Sequence, residues 1–195
     1  ARRGGEADVT QSSFCICGID PGIAGGIAFR YIDAGKVVMW SDDLPAHQEP
    51  VQGVGRAGLD AARLGALITR FGPDIAVVER VSSRPKQGVA STFRFGMAFG
   101  ICIGVVEALQ VPIHYVTPRK WKADIGLPAP PAYLPAHQAA SFRKNVALEV
   151  ARELYPASAA DWKRKKDHNR CEAALLAHWG ERNGVCNLQN VSGLG

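Results

Sequence analysis

The sequence predicts an α/β fold in which helices pack on a mixed β-sheet. Short runs of apolar and β-tolerant residues alternate along the chain with longer segments of helical periodicity. Three strand-like runs come before any helix, and the fourth follows a helix directly. That order favours a sheet with both antiparallel and parallel neighbours. With 195 residues, the chain has room for one hydrophobic core and is predicted to form one domain.

The predicted sheet has five strands, at residues 14–19, 25–31, 36–40, 74–79 and 111–116. The first ends at Pro21-Gly22, since proline fixes φ and glycine tolerates a turn. Asp33-Ala34-Gly35 predicts a hairpin turn between the second and third strands. Residues 41–55 carry two aspartates and two prolines and are predicted to form a loop.

Apolar spacing and composition predict helices at residues 59–71, 92–109, 139–154 and 167–179. Thr117-Pro118, an N-cap residue followed by proline, predicts a short helix at 118–122. In the predicted helix at 92–109, Gly96, Gly100 and Gly104 recur every four residues and therefore share one face. Each glycine costs about 1 kcal/mol relative to alanine in a helix interior. The stripe therefore predicts the close approach of another element, either the sheet beneath or a partner subunit.

Composition limits the classes of protein that the chain can represent. A net charge of +5 and 47% hydrophobic residues are typical of a globular protein. The five cysteines show no CxxC spacing, which favours a reducing compartment and argues against a zinc site. We expect no apolar run to approach the roughly 20 residues of a membrane span, so no membrane association is predicted.

The ends of the chain are predicted to flank a single folded unit. Residues 1–13 and 185–195 are expected to be flexible, and residues 14–184 to form the domain. The sequence begins at Ala1 without methionine, which favours a processed or trimmed product.

Basic residues cluster in three places. A pattern of this kind is typical of contacts with a nucleic-acid backbone, although a solvated basic face would look the same. A polar segment after the fourth strand, residues 81–91, is predicted to face DNA. The candidate DNA-binding residues are Arg84 and Lys86 in that segment, Arg119 and Lys120, and Lys163, Lys165 and Lys166.

Carboxylates stand where separate elements end. Asp20 closes the first strand and Glu79 the fourth, so adjacent parallel strands would bring both to one sheet edge. Asp167 and Glu172 stand at the start of the last helix. Mg²⁺ prefers hard oxygen ligands, and two such ions can drive phosphodiester hydrolysis. The pattern predicts metal-assisted chemistry on nucleic acid.

Five motifs extend this interpretation. Gly18-Ile-Asp-Pro-Gly22, Val77-Val-Glu-Arg-Val81, Phe95-Gly-Met-Ala-Phe-Gly100, Pro118-Arg-Lys-Trp-Lys122 and Lys166-Asp-His-Asn-Arg-Cys-Glu-Ala-Ala-Leu-Leu176 occur in the order found in RuvC-type Holliday junction resolvases. The chain resembles that family over residues 14–184, and its last motif resembles most closely the plastid (monokaryotic-chloroplast) and phage branches. The resemblance implies an RNase H-like fold with a mixed five-stranded sheet flanked by helices. It also implies a homodimer formed through the Gly96/Gly100/Gly104 helix.

The resemblance further implies paired nicking of four-way DNA junctions with two Mg²⁺ ions per site, for which Mn²⁺ would substitute. It assigns Asp20, Glu79, Asp167 and Glu172 to the metals. It assigns catalytic roles to those four and to Lys122 and Lys144, each of which is alternatively a surface lysine that contacts phosphate. Trp121 and Trp162, flanked by basic residues, are candidates for stacking, with burial favoured for Trp121.

The chain departs from the bacterial pattern at the last helix. That pattern has two acids three residues apart, but the residue three before Glu172 is Asn169. Asp167 lies five residues before Glu172, roughly 140° around an ideal helix. It would therefore have to reach the site from just before the helix begins. The alternatives are His168 as the ligand, and Asp167 as a helix-capping acid paired with Lys165 or Lys166.

Two other functions remain open from the sequence. One is an RNase H-like nuclease acting on other DNA, and the other is a junction-binding protein with little cleavage. The plastid-type motif predicts location in the chloroplast stroma or nucleoid, with a bacterial or phage-infected cytoplasm as the alternative.

Overall fold

The computed structural model describes residues 14–51, 54–80 and 88–185. Seven strands are present in these ranges: β1 (Ile16–Asp20), β2 (Gly26–Asp33), β3 (Lys36–Asp43), β4 (Ala46–Val51), β5 (Val54–Leu59), β6 (Ile75–Glu79) and β7 (Ile113–Val116). The α-helices are α1 (Ala61–Phe71), α2 (Val89–Ala108), α3 (Pro118–Asp124), α4 (Ala136–Leu154) and α5 (His168–Arg182). Two 3₁₀ helices, Pro156–Asp161 and Lys165–Asp167, lie between α4 and α5.

The main sheet has five strands in the order β3-β2-β1-β6-β7. The pairs β1–β2 and β2–β3 are antiparallel, whereas β1–β6 and β6–β7 are parallel. Ile19 of β1 is opposite Val78 of β6, so both strands end at one edge, with Asp20 and Glu79 side by side. The predicted mixed five-stranded sheet is confirmed, and its register brings together two of the predicted carboxylates.

A hydrophobic core covers each face of the sheet. Successive residues of β1 contribute to opposite sides, as the two-residue period of a strand requires: Ile16 lies in one core, and Cys17 and Ile19 lie in the other. The first core contains α4 and α5 and buries Trp121, Trp162 and Trp179. The second contains α1 and α2.

Helix α5 lies unusually close to the sheet. A methyl group built on Gly18 of β1 would stand 2.1 Å from the carbonyl oxygen of Ala173, and one on Gly26 of β2 would stand 2.3 Å from that of Asn169. The two glycines therefore allow backbone to pack against backbone. This contact determines the distance between α5 and the sheet, and therefore the position of Glu172 relative to the end of β1.

Residues 41–55 are not the predicted loop. β3 continues to Asp43, and β4 and β5 form an antiparallel hairpin outside the main sheet. The loop was predicted because of the prolines in this segment. Proline has no backbone N–H to donate, but each strand of a two-stranded ribbon has an unpaired edge at which no donor is needed. Leu44 and Leu59, at its base, are buried in the second core.

The glycine stripe of α2 does not face the sheet. Ala98, Cys102 and Val106 form the buried side of the helix, and a methyl group built on Gly96, Gly100 or Gly104 would meet no atom within 4 Å. Val89, Phe93 and Met97 are exposed on the same side as the glycines. The sheet-packing alternative is therefore wrong, and α2 presents an open apolar face.

The statement that no apolar run approaches membrane-spanning length is also wrong. α2 has 20 residues and a mean hydropathy of 1.7 over 18 of them, enough by length and composition to cross a membrane. A core helix of a soluble protein meets the same criteria. The reason for the high value is that α2 is apolar both on its sheet-facing side and on its open side.

The two predicted flexible ends, residues 1–13 and 185–195, lie outside the described residues except for Val185. Val185 is buried in the first core. Cys15, Cys17 and Cys102 are buried as free thiols, as predicted, and so is Cys171.

Candidate active site

Three carboxylates converge where β1 and β6 end. Asp20 closes β1, Glu79 closes β6, and Glu172 comes from the second turn of α5. All three line one cavity of about 450 Å³. The cavity has a basic rim formed by Arg80, Lys122, Arg143 and Lys144. A cluster of negative charge inside a positive rim fits a site that takes a cation together with a phosphate group.

The electrostatics show that these carboxylates repel one another. Burial, and then the charges of Glu172 and Glu79, raise the pKa of the Asp20 carboxyl well above its usual range, while Lys122 opposes the shift. A divalent cation placed among them would relieve this repulsion. The donor set consists of oxygens, which Mg²⁺ and Mn²⁺ prefer.

Two of the carboxylates are held by consecutive residues of α3. The indole N–H of Trp121 donates to Oε2 of Glu79 at 2.6 Å, in a fully buried contact. Nζ of Lys122 lies 2.8 Å from Oε1 of Glu172. α3 itself begins at Thr117, whose side chain accepts from the backbone N–H of Lys120, with Pro118 in the first turn as predicted.

The carboxylates do not form a complete metal-binding group in this conformation. Within residues 14–51, 54–80 and 88–185, no three His, Cys, Asp or Glu side chains are arranged so that they could hold a metal ion. One physical reason is visible, since Glu172 is paired with Lys122. Lys122 thus balances part of the negative charge from within the protein.

Asp167 is not among the cavity-lining residues. The backbone N–H of Arg164 donates to Oδ2 of Asp167 at 2.7 Å, and Nη2 of Arg164 donates to Oδ1 at 2.8 Å. Burial alone would raise the pKa of the Asp167 carboxyl, but the bonds from Arg164 hold it below its usual value. The carboxylate therefore caps the 3₁₀ helix Lys165–Asp167 through Arg164, not through Lys165 or Lys166. Asp167 is also the N-cap residue of α5, but its side chain makes no capping hydrogen bond to that helix, so the alternative prediction is met only in part.

His168, and not Asp167, lines the cavity. It is the first residue of α5, one turn before Glu172, and therefore on the same helix face. It lines the cavity with Glu172 and Lys144. Burial and then the charge of Lys144 lower the pKa of His168, which favours the neutral imidazole that can bind a metal.

Five of the seven predicted DNA-binding residues lie in the described part of the chain, and all five are exposed. Arg119 and Lys120 are exposed on α3, and Lys120 pairs with Asp124 at 3.0 Å. Lys163, Lys165 and Lys166 are exposed before α5. Arg84 and Lys86 lie outside the described residues.

Sequence reasoning missed Arg80 and Arg143, and it was wrong about Trp162. Both arginines adjoin predicted site residues, Glu79 and Lys144, and that adjacency was the available signal. Trp162 has no exposed surface, and its indole N–H donates to Oγ of Ser41 at 2.7 Å, so it is not free to stack on a base. Trp121 is buried, as favoured.

Comparison with known proteins gives structural relatives only. No family model and no curated protein matches the chain. A structure of Thermus thermophilus RuvC in complex with a Holliday junction substrate is 18% identical, with a TM-score of 0.51 over 88% of this chain and 96% of that one. Another T. thermophilus RuvC structure is 17% identical, with a TM-score of 0.47 over 88% and 97%. The yeast mitochondrial Holliday junction resolvase is 13% identical, with a TM-score of 0.39 over 89% and 85%. The chain has the RuvC-type, RNase H-like fold, a mixed five-stranded sheet flanked by helices.

Proposed function

We propose that this chain is a metal-dependent endonuclease that resolves four-way DNA junctions by paired, symmetric phosphodiester hydrolysis, as in recombination. The observation that carries the proposal is the convergence of Asp20, Glu79 and Glu172 in one cavity with a basic rim. The fold is shared with RuvC, of which one structure holds a Holliday junction substrate. The five motifs in family order support the same conclusion.

Asp20, Glu79 and Glu172 would hold the metal, with His168 as a fourth donor in the position predicted for Asp167. We propose two Mg²⁺ ions per site, replaceable by Mn²⁺. Such ions would supply Lewis-acid stabilisation of the phosphate and a nucleophile at neutral pH. Lys122 lies 2.8 Å from Oε1 of Glu172, so a metal at this carboxylate would compete with the lysine for that oxygen.

Lysines and arginines complete the proposed chemistry. Lys122 and Lys144 line the cavity and would place positive charge beside the scissile phosphate as negative charge develops on it. Arg80 and Arg143 on the rim would fix the neighbouring backbone phosphates. Arg119, Lys120, Lys163, Lys165 and Lys166 would extend this contact along the arms of the junction, together with Arg84 and Lys86.

Substrate preference tests the proposal. Labelled four-way junction, linear duplex and flap DNA are incubated with the protein, with and without Mg²⁺. We expect metal-dependent symmetric nicks in the junction and little cutting of the other two. Equal cutting of all three substrates would indicate a general RNase H-like nuclease. Tight junction binding without cutting at any metal concentration would indicate a binding protein.

The choice between His168 and Asp167 gives a separate prediction. We expect His168→Ala to weaken Mn²⁺ binding at least about tenfold, since the imidazole lies in the cavity. Asp167→Asn should leave Mn²⁺ affinity unchanged and lower stability by about 1 kcal/mol, because it weakens the contact with Arg164. Calorimetric titration and urea denaturation measure the two quantities. The reverse pattern would return the ligand role to Asp167.

We also propose that the chain acts as a homodimer through the open face of α2. A four-way junction has approximate two-fold symmetry, and two symmetric cuts need two sites related by a two-fold axis. The exposed apolar residues Val89, Phe93 and Met97 lie beside three glycines that allow close helix packing.

We expect Gly100→Arg to convert the dimer to a monomer and to replace paired cuts by slow single nicks. The reason is that a charged side chain on the open face would have to be buried on association. Ala160→Arg, which adds the same charge at an exposed alanine in the first 3₁₀ helix, is the control. Sedimentation velocity reports the oligomeric state. A monomeric wild-type protein, or a dimeric Gly100→Arg, would contradict the assignment.

The plastid-type character of the last motif supports a chloroplast stroma or nucleoid location, which we propose in preference to a bacterial or phage-infected cytoplasm. Microscopy of the fluorescently tagged gene product in plant cells, with a plastid marker, tests this proposal, and exclusion of the tagged protein from plastids would contradict it.

A further inference from the structure

The indole N–H of Trp121 is directed at a carboxylate of the candidate metal site. It donates to Oε2 of Glu79 at 2.6 Å, and both partners are buried, with Trp121 at 0% and Glu79 at 6% exposure. A hydrogen bond from a neutral donor to a buried carboxylate is short and strong in such surroundings. Trp121 therefore restricts the orientation of the Glu79 side chain.

Contacts at both ends of α3 fix the position of Trp121. The cap at Thr117 fixes the start of α3. Near its end, Oδ2 of Asp124 accepts from the indole N–H of Trp179 at 2.8 Å and from Nζ of Lys120 at 3.0 Å. Trp179 belongs to α5, the helix that carries Glu172. The helix that carries Trp121 is therefore fixed at its start by the Thr117 cap and near its end by a hydrogen bond to α5.

The neighbouring contact has a different character. Lys122 holds Glu172 through a flexible side chain that is 26% exposed, and its Nζ lies 4.9 Å from the centre of the Trp121 ring. A lysine can leave such a contact easily because its four-carbon chain rotates freely. Of the two carboxylates that α3 contacts, Glu79 is therefore fixed and Glu172 is exchangeable.

We infer that Trp121 is a positioning residue for the metal site: its indole N–H fixes the Glu79 carboxylate in the orientation that receives the metal. This inference rests on the proposed function. Groups that orient metal ligands through hydrogen bonds typically change metal affinity or activity about 10–100-fold when they are removed. Because Trp121 has no exposed surface and acts on the cavity through Glu79, its effect should appear in metal affinity rather than in junction binding.

Trp121→Phe removes the N–H and retains an aromatic ring. Trp162→Phe is the matched control, since Trp162 is equally buried and loses one hydrogen bond, to Ser41, away from the cavity. Mn²⁺ is titrated calorimetrically into each protein without DNA, and cleavage of a four-way junction is measured over a range of Mn²⁺ concentrations. We expect about tenfold weaker Mn²⁺ binding in Trp121→Phe alone, with cleavage shifted to higher Mn²⁺ and junction affinity unchanged.

The possible results separate this inference from the proposed function. Normal Mn²⁺ affinity in Trp121→Phe, or an equal loss in Trp162→Phe, would overturn the role of Trp121 and leave the nuclease proposal standing. Wild-type protein that binds no Mn²⁺ would overturn both. Wild-type protein that binds Mn²⁺ but cuts no junction would overturn the nuclease proposal alone.

A second measurement does not depend on the folding of Trp121→Phe. The indole ¹H–¹⁵N resonances of the wild-type protein are assigned by elimination with Trp40→Phe, Trp162→Phe and Trp179→Phe. Addition of Mg²⁺ should shift the Trp121 resonance, because its acceptor Glu79 becomes a metal ligand, and should leave Trp162 unchanged. A stationary Trp121 resonance at saturating Mg²⁺ would overturn the inference.

Discussion

Asp20→Asn should abolish metal-dependent junction cleavage and, in the same protein, raise the melting temperature of the metal-free form. Both effects have one cause. Asp20 shares its cavity with Glu79 and Glu172, whose charges, together with burial, raise the pKa of its carboxyl well above the usual range. Asparagine keeps the shape, removes the repulsion and cannot replace the carboxylate as a metal ligand.

The pH dependence has a definite sign. An acid whose pKa is higher in the folded than in the unfolded protein binds its proton more tightly when folded. Its stabilising contribution is complete below the unfolded-state pKa of about 4. It is lost as pH rises through the folded-state pKa. Wild-type protein in chelator should therefore lose stability relative to Asp20→Asn as pH rises from about 4 towards neutrality.

The expected difference in melting temperature follows from the same linkage. Each unit by which the folded state raises a pKa costs about 1.4 kcal/mol of stability once the group is ionised, so we expect Asp20→Asn to melt at a higher temperature than the wild type at pH 7 and at the same temperature near pH 4. Thermal unfolding in chelator between pH 4 and 8, about the range of carboxylate titration, measures this difference.

Asp33→Asn is the matched control, because Asp33 is exposed at the end of β2 and should change neither quantity. An Asp20→Asn protein that still cuts junctions would remove Asp20 from the metal site. A lower melting temperature in chelator would show that the three carboxylates do not repel one another in solution.

The parts of the site that sequence reasoning located are those set by strand ends. Asp20 and Glu79 each close a buried apolar run, and parallel pairing of those runs is enough to make them neighbours. Glu172 follows because α5 packs over the same strands through Gly18. The metal-binding role of the three carboxylates stays a prediction, but their convergence is a structural fact.

The features that were missed depend on local geometry that periodicity does not record. The prediction extended an ideal α-helix from Glu172 back to Asp167, but Lys165–Asp167 forms a 3₁₀ helix instead. In that helix Asp167 is hydrogen-bonded to Arg164, and His168 lines the cavity. Similarly, glycines on one helix face indicate that something can approach, but not which surface. Gly18 and Gly26 prove to be packed tightly against α5, while the glycines of the α2 stripe face outward.

Gly18→Ala should destabilise the protein strongly, although it adds only one methyl group. That methyl group would stand 2.1 Å from the carbonyl oxygen of Ala173 and 2.7 Å from the backbone nitrogen of Ala177. Backbone atoms of a packed helix cannot rotate away, so α5 or β1 must shift. Overpacking of a core typically costs about 1–3 kcal/mol, and we expect about 3 kcal/mol because both neighbours are backbone.

The shift should also reach the chemistry, because α5 carries Glu172 and His168 into the cavity. We therefore expect weaker Mn²⁺ binding by the folded fraction of Gly18→Ala, measured by titration below its unfolding transition.

Gly65→Ala is the control. Its methyl group would meet Val105 at an ordinary 3.7 Å, and removing glycine from a helix interior should stabilise α1 by up to about 1 kcal/mol. Urea denaturation should thus move the two variants in opposite directions from the wild type. A Gly18→Ala protein as stable as the wild type would mean that α5 lies farther from the sheet than the 2.1 Å contact at Gly18 implies. Close packing at Gly18 would then not determine the position of Glu172 relative to Asp20.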